Sequence, residues 1–167
     1  MPVKSWNVGD VLSAADMNAW TVPLAAIKPS DTQRNNTTSV TNDPDLQLSL
    51  AAGAVYLVEA LVQYKGTTTG NSDIKFTINA PGGATGFWID IREGIVGFAN
   101  VLSATNAFGV TDNAGTNGTA NLEPLFLKAS VTTVGAGTLA FAWAQNTSNA
   151  TNTTVTAGSI LSAQRIG

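Results

Sequence analysis

The side chains able to do chemistry in this chain are few, and the missing ones narrow the field first. Its 167 residues include no histidine and no cysteine. That removes the commonest general base, the commonest metal ligand, the thiol nucleophile and the disulfide together. Eleven carboxylates and five lysines remain for acid–base work. The carboxylates form two close pairs, Asp43/Asp45 and Asp90/Glu93. Two carboxylates about 5–10 Å apart across a cleft would suit glycoside hydrolysis. Asp43 and Asp45, however, flank Pro44 in a turn context, where aspartate is favoured for local hydrogen bonding. Asp90 and Glu93 border Gly94 between two strand-like runs, and the same explanation serves. Neither pair carries an enzymatic reading, and no cofactor is expected.

Other binding chemistries are equally thin. Asp112 to Gly118 (DNAGTNG) lacks both the D-x-[DN]-x-[DN]-G spacing and the closing glutamate of a calcium loop, and reads as a polar surface loop. Asn-x-Ser/Thr triplets begin at Asn35, Asn36, Asn117, Asn146, Asn149 and Asn152; an Asn/Thr-biased composition produces them by chance. Carbohydrate recognition is the stronger candidate. Trp88, Trp143, Tyr56 and Tyr64 could stack on sugars, although strand positions make core packing their default. The polar loops near residues 103–121 and 146–156 could hydrogen-bond hydroxyls. A net charge of −3 with scattered basic residues excludes phosphate-backbone binding, so no nucleic-acid partner is expected.

The elements that must position these groups are β-strands. Only 11% of residues are charged, and Ala129 to Gln164 holds no charge over thirty-six residues. Thr, Ser, Asn and Gly interrupt each apolar run short of the ~20 residues a membrane span needs. With 44% apolar residues the chain has enough to bury a core. From Leu46 onward the hydrophobic period is two: Leu46/Leu48/Leu50, then Val55 to Tyr64, then Ile74/Phe76/Ile78. Further strands are expected at Phe87–Ile91, Ile95–Leu102, Leu125–Thr132, Thr138–Gln145 and Ser159–Ile166. Turn-rich separators such as Pro81-Gly82-Gly83-Ala84 lie between them, so about eight short strands form an antiparallel β-sandwich at 46–167. Residues 28–45, with Pro29 and Pro44, read as a polar linker. Residues 1–27 read as an arm in which Ser13 and Asp16 give an N-cap signal and Thr21-Val22-Pro23 stops one short helix. Such a helix holds only against another surface. Met1-Pro2-Val3-Lys4 precedes no apolar signal region, so synthesis in a cytosol is expected.

Strand Val55–Tyr64 is apolar on both faces, whereas a two-sheet sandwich covers only one face of each sheet. Leu57 and Leu61, with Glu59 and Gln63, are then covered by a neighbouring subunit or by the arm, or are ordinary aliphatics left partly exposed.

The run Gly9-Asp10-Val11-Leu12-Ser13-Ala14-Ala15-Asp16-Met17-Asn18 resembles the N-terminal attachment stretch of phage tail and virion-appendage proteins, where a GDxLTAADLN-like run recurs. Gly137 to Gln145, the Thr/Asn-rich loop after it and Ala157-Gly158-Ser159-Ile160-Leu161 resemble the closing strands of phage appendage domains of the C1q/TNF-like jelly-roll kind. The two stretches bracket the chain and cover about a third of it. The resemblance implies a virion protein made in the bacterial cytoplasm, a jelly-roll head and a homotrimer. Trp6, Val8, Val11, Leu12, Met17 and Trp20 would dock the arm on the major capsid protein or on tail proteins. No repeat or heptad shaft is present, which favours a capsid decoration protein over a tail fibre, with a minor tail protein as the near alternative. The alternative of a different class is a sugar-binding receptor module for host surface glycan.

Overall fold

A computed structural model describes residues 7–11, 13, 14, 18, 22–66, 73–93, 100–102 and 105–167. The described chain is all-β. Its strands are β1 (Leu24–Ile27), β2 (Thr32–Arg34), β3 (Thr41–Leu50), β4 (Val55–Lys65), β5 (Ile74–Asn79), β6 (Thr85–Glu93), β7 (Asn100–Leu102), β8 (Asp112–Ala114), β9 (Glu123–Thr132), β10 (Gly137–Gln145), β11 (Thr153–Val155) and β12 (Ile160–Arg165). One sheet runs β1-β12-β4-β9-β6-β7, with β11 joining β2 to the end of β4. The second runs β3-β10-β5-β8. All pairings are antiparallel. The chain changes sheet at nearly every step from β3 to β11, so the two sheets are interlaced into an antiparallel sandwich rather than stacked as separate hairpins.

The period-two pattern explains the core. Tyr56, Val58, Ala60, Val62 and Tyr64 of β4 alternate inward with Leu125, Leu127, Ala129 and Val131 of β9. They meet Leu46, Leu48 and Leu50 of β3, Ile74, Phe76 and Ile78 of β5, and Leu139, Phe141 and Trp143 of β10. Phe76 sits between Trp88 and Phe141, with ring centroids 5.9 and 6.3 Å away. The Trp88 indole donates to the Ala107 carbonyl at 3.0 Å, which satisfies its one polar atom inside the core. Gly86 of β6 has φ +138°, and a Cβ there would overlap the Ser130 carbonyl; only glycine permits this approach.

Each side of the sandwich is pinned by a cation held between two aspartates. On one side Lys28 Nζ, fully buried, donates to Asp43 and Asp45 at 2.8 Å each and to Thr32 Oγ1 at 2.6 Å. Asp43 Oδ1 also accepts from the backbone N–H groups of Asp45 and Leu46, and Oδ2 accepts from the Trp143 indole at 2.9 Å. The Lys28 backbone pairs with Ser159 and Gly158, so the residue ties the end of β1 to the chain entering β12 and, through its side chain, to β3 in the other sheet. Arg34 lies over the Trp143 ring at 4.2 Å and donates to the carbonyls of Thr41, Asn42 and Trp143. Burial lowers the Arg34 pKa from its ordinary value, and the Asp43 carboxylate opposes that shift. On the other side Arg92 pairs with Asp90 of its own strand and with Asp112 of β8, again joining the two sheets.

These contacts correct the reading of 28–45 as a linker. The segment contains β2 and the first half of β3, and Lys28 is 1% exposed. Its polarity is that of an internal ion cluster, and Pro44 is tolerated because β3 is a sheet edge with an irregular register opposite Ala140–Ala142. The boundary at residue 27 moves as well, since Leu24–Ile27 is a strand paired with β12. Asp112 to Ala114, expected in a surface loop, is a strand on β5. Of the expected strand Ile95–Leu102, residues 95–99 lie outside the described residues.

Candidate functional site

The outer face of the larger sheet carries the most unusual surface. Register places Ile27, Ile160, Leu61, Phe126 and Ile91 in one line across β1, β12, β4, β9 and β6. Four inter-strand steps make that line about 19 Å long. Ile27, Leu61, Phe126 and Ile91 are 64%, 38%, 48% and 47% exposed. A second line, four residues along the strands, holds Gln164, Leu57, Ser130 and Phe87, of which Leu57 and Phe87 are well exposed. Between the lines run Ser162, Glu59, Lys128 and Ile89, and the Lys128 ammonium meets the Glu59 carboxylate at 2.9 Å, both side chains largely in solvent. Leu61, Phe126 and Ile160 border a shallow groove of about 280 Å³ beside this pair.

The two residues read from the sequence as a subunit interface, Leu57 and Leu61, thus lie in the two apolar lines. Phe87, Ile91, Phe126 and Ile27 are the members that sequence reasoning missed. Their outward position depends on which strands are neighbours and in what register, and period two within one strand does not reveal that. A signal existed: β9 alternates Leu125, Leu127 and Ala129 against Phe126, so its second face also held an aromatic.

The other candidates resolve differently. Trp88, Trp143 and Tyr64 are 0% exposed and Tyr56 is 4% exposed, so these four aromatics are core and cannot stack on a sugar. The Asp43/Asp45 pair is occupied by Lys28, by backbone donors and by Trp143; Asp90 is held by Arg92. Their work is structural. The Glu93 side chain lies outside the described residues. Among the described residues no cluster of three or more His, Cys, Asp or Glu could hold a metal ion, and no helix is long and apolar enough to cross a membrane. Of the residues expected to dock, Val8 and Val11 are exposed, whereas Trp6, Leu12, Met17 and Trp20 lie outside the described residues. Ala14 and Asn18 are helical; the expected helix otherwise falls outside them.

No family profile and no curated protein sequence matches this chain. Among solved structures it is similar to those of infectious bursal disease virus Gt strain (9% identity, TM-score 0.21) and Gx strain (11%, 0.26). It is also similar to the VP2 subviral particle of that virus (8%, 0.22). Alignments cover 98–100% of this chain, which spans about 42–44% of the length of those chains.

Proposed function

We propose that this protein is a non-enzymatic structural subunit of a bacteriophage particle, a homotrimer on the capsid exterior anchored by its N-terminal arm. The observation that carries the reading is the pair of apolar lines on the outer face of the larger sheet. An exposed patch of this kind on a soluble domain marks an interaction surface. Its occupant is a second copy of the chain. The face has both charges of the Glu59–Lys128 pair at its centre, so a copy can offer a carboxylate to a lysine and a lysine to a carboxylate, while leucine and phenylalanine on either side supply the apolar contact. Each large side chain fully buried there stabilises the assembly by ~1.5–3 kcal/mol.

The threefold number rests on the resemblance to trimeric C1q/TNF-like jelly rolls, and the interlaced order of the two sheets supports that architecture. The virion assignment rests on the Gly9–Asn18 run. Val8 and Val11 are exposed and so available to a partner, and three arms on one trimer would bind cooperatively through effective concentration. The direct test is deletion of residues 1–21. The truncated protein is expected to fold and assemble normally yet fail to attach to particles; undiminished attachment refutes the anchor.

A further inference from the structure

At the end of the same sheet β11 pairs with β2 and β4 at once, and this junction forms a polar cleft of about 260 Å³. Gln33, Thr154 and Lys65 stand in one cross-strand line along its floor, with Asn152 two residues before Thr154 on β11. Thr151 and Thr119 complete the lining. The two loop regions that the sequence nominates for hydroxyl recognition thus converge on one concavity, with Thr119 from one and Thr151 and Asn152 from the other.

The cleft's hydrogen-bonding capacity is lopsided. Asn152 donates to Gln33 Oε1 at 2.6 Å and accepts from Asn35 Nδ2 at 2.9 Å, which fixes both amides on a strand-built frame. Gln33 Oε1 is engaged in that bond, which leaves its NH₂ available as a donor. The Lys65 ammonium and the hydroxyls of Thr119, Thr151 and Thr154 make no bond to a described residue. Among the described residues no carboxylate lines the cleft. Asp31 accepts from the Ala157 backbone and Asp73 accepts from Thr116, while Glu123, opposite Tyr64 on β9, is buried and does not line the cleft. Arg34, the cation of β2, is turned into the sandwich against Trp143.

A rigid set of hydroxyl and amide groups around a single unpaired ammonium fits a polyhydroxylated ligand that carries one negative charge. We propose that this cleft binds an acidic saccharide, its carboxylate on Lys65 and its hydroxyls on Gln33, Thr154, Thr151 and Thr119. Among the described residues no aromatic lines the site, so recognition rests on hydrogen bonds and charge, and affinity falls as salt rises. Recognition of this kind would give the particle a contact to an acidic glycan surface, independent of how subunits assemble.

The test is an NMR titration of the ¹⁵N-labelled full chain with three probes: a glucuronate-containing oligosaccharide, the matching glucose oligosaccharide and inorganic phosphate. The acidic saccharide is expected to shift the amide signals of Gln33, Thr119, Thr151 and Thr154, while the glucose oligomer binds roughly tenfold more weakly or worse. Lys65→Gln should remove that preference with an unchanged unfolding midpoint, and Thr151→Ala should weaken both sugars. No shift with the acidic saccharide overturns the proposal. So does phosphate matching it, or Lys65→Gln retaining the preference. Sedimentation of the same samples reads the assembly state separately, so failure of either reading leaves the other standing.

Discussion

Replacing Lys28 with alanine strikes the cluster that holds the 28–45 segment to the sandwich. The substitution leaves Asp43, 0% exposed, without the ammonium that contacts it, and leaves Asp45 with one bond fewer. Removing one partner of a buried ion pair costs about 3–5 kcal/mol, because the other charge remains buried. Asp43 keeps three donors, the backbone N–H groups of Asp45 and Leu46 and the Trp143 indole, so the loss belongs at the lower end, about 3 kcal/mol. For a chain of this size each kcal/mol shifts Tm by about 2–4 °C, which gives a fall of roughly 6–12 °C. Urea unfolding at fixed protein concentration measures the free energy, and calorimetry the midpoint. The double substitution Lys28→Met with Asp43→Asn removes both buried charges and should recover part of the loss. A Lys28→Ala cost under about 1 kcal/mol, or a double variant no more stable than the single one, would refute the reasoning and return the segment to a surface linker.

The remaining predictions concern the strand frame and the arm. Gly86→Ala places a methyl group against the Ser130 carbonyl at φ +138°, so it should destabilise by more than about 3 kcal/mol, read as lost midpoint or insoluble expression. Deleting residues 1–27 in place of 1–21 removes β1, uncovers the edge of β12 and takes away Ile27; the longer truncation should melt lower and aggregate at its new edge, seen by thermal scattering. Exchanging Glu59→Lys with Lys128→Glu should preserve assembly at low salt, while Glu59→Lys alone should weaken it, as read by sedimentation velocity.

Legibility from the sequence tracked the hydrophobic period closely. The central strands β4, β5, β9 and β10 carry long alternating runs, and the sandwich follows from them. Strands β2, β8 and β11 are three residues long and lie in segments rich in Thr, Asn and Asp, where propensity says loop, and β1 is a four-residue LAAI run too short to show a period. Their strand state comes from pairing with partners distant in sequence, as Thr153–Val155 on Thr32–Arg34 illustrates. The Asp43-Pro44-Asp45 triplet has the composition of a turn, and only tertiary contact with Lys28 and Trp143 turns its charges inward. The apolar outer face was legible at Leu57 and Leu61 because β4 is long enough to show both of its faces. Phe87 and Ile91 share the outer face only through the β9 register, information that no single run contains.

Analytical ultracentrifugation of the intact protein beside its Phe126→Glu variant is the most direct measurement. The outer face as subunit interface predicts a species of three times the 17.2 kDa chain mass for the wild type. The variant, folded with an unchanged circular dichroism spectrum, should sediment at the mass of one chain. A wild-type monomer at micromolar concentration, or a Phe126→Glu variant that still assembles, would contradict it.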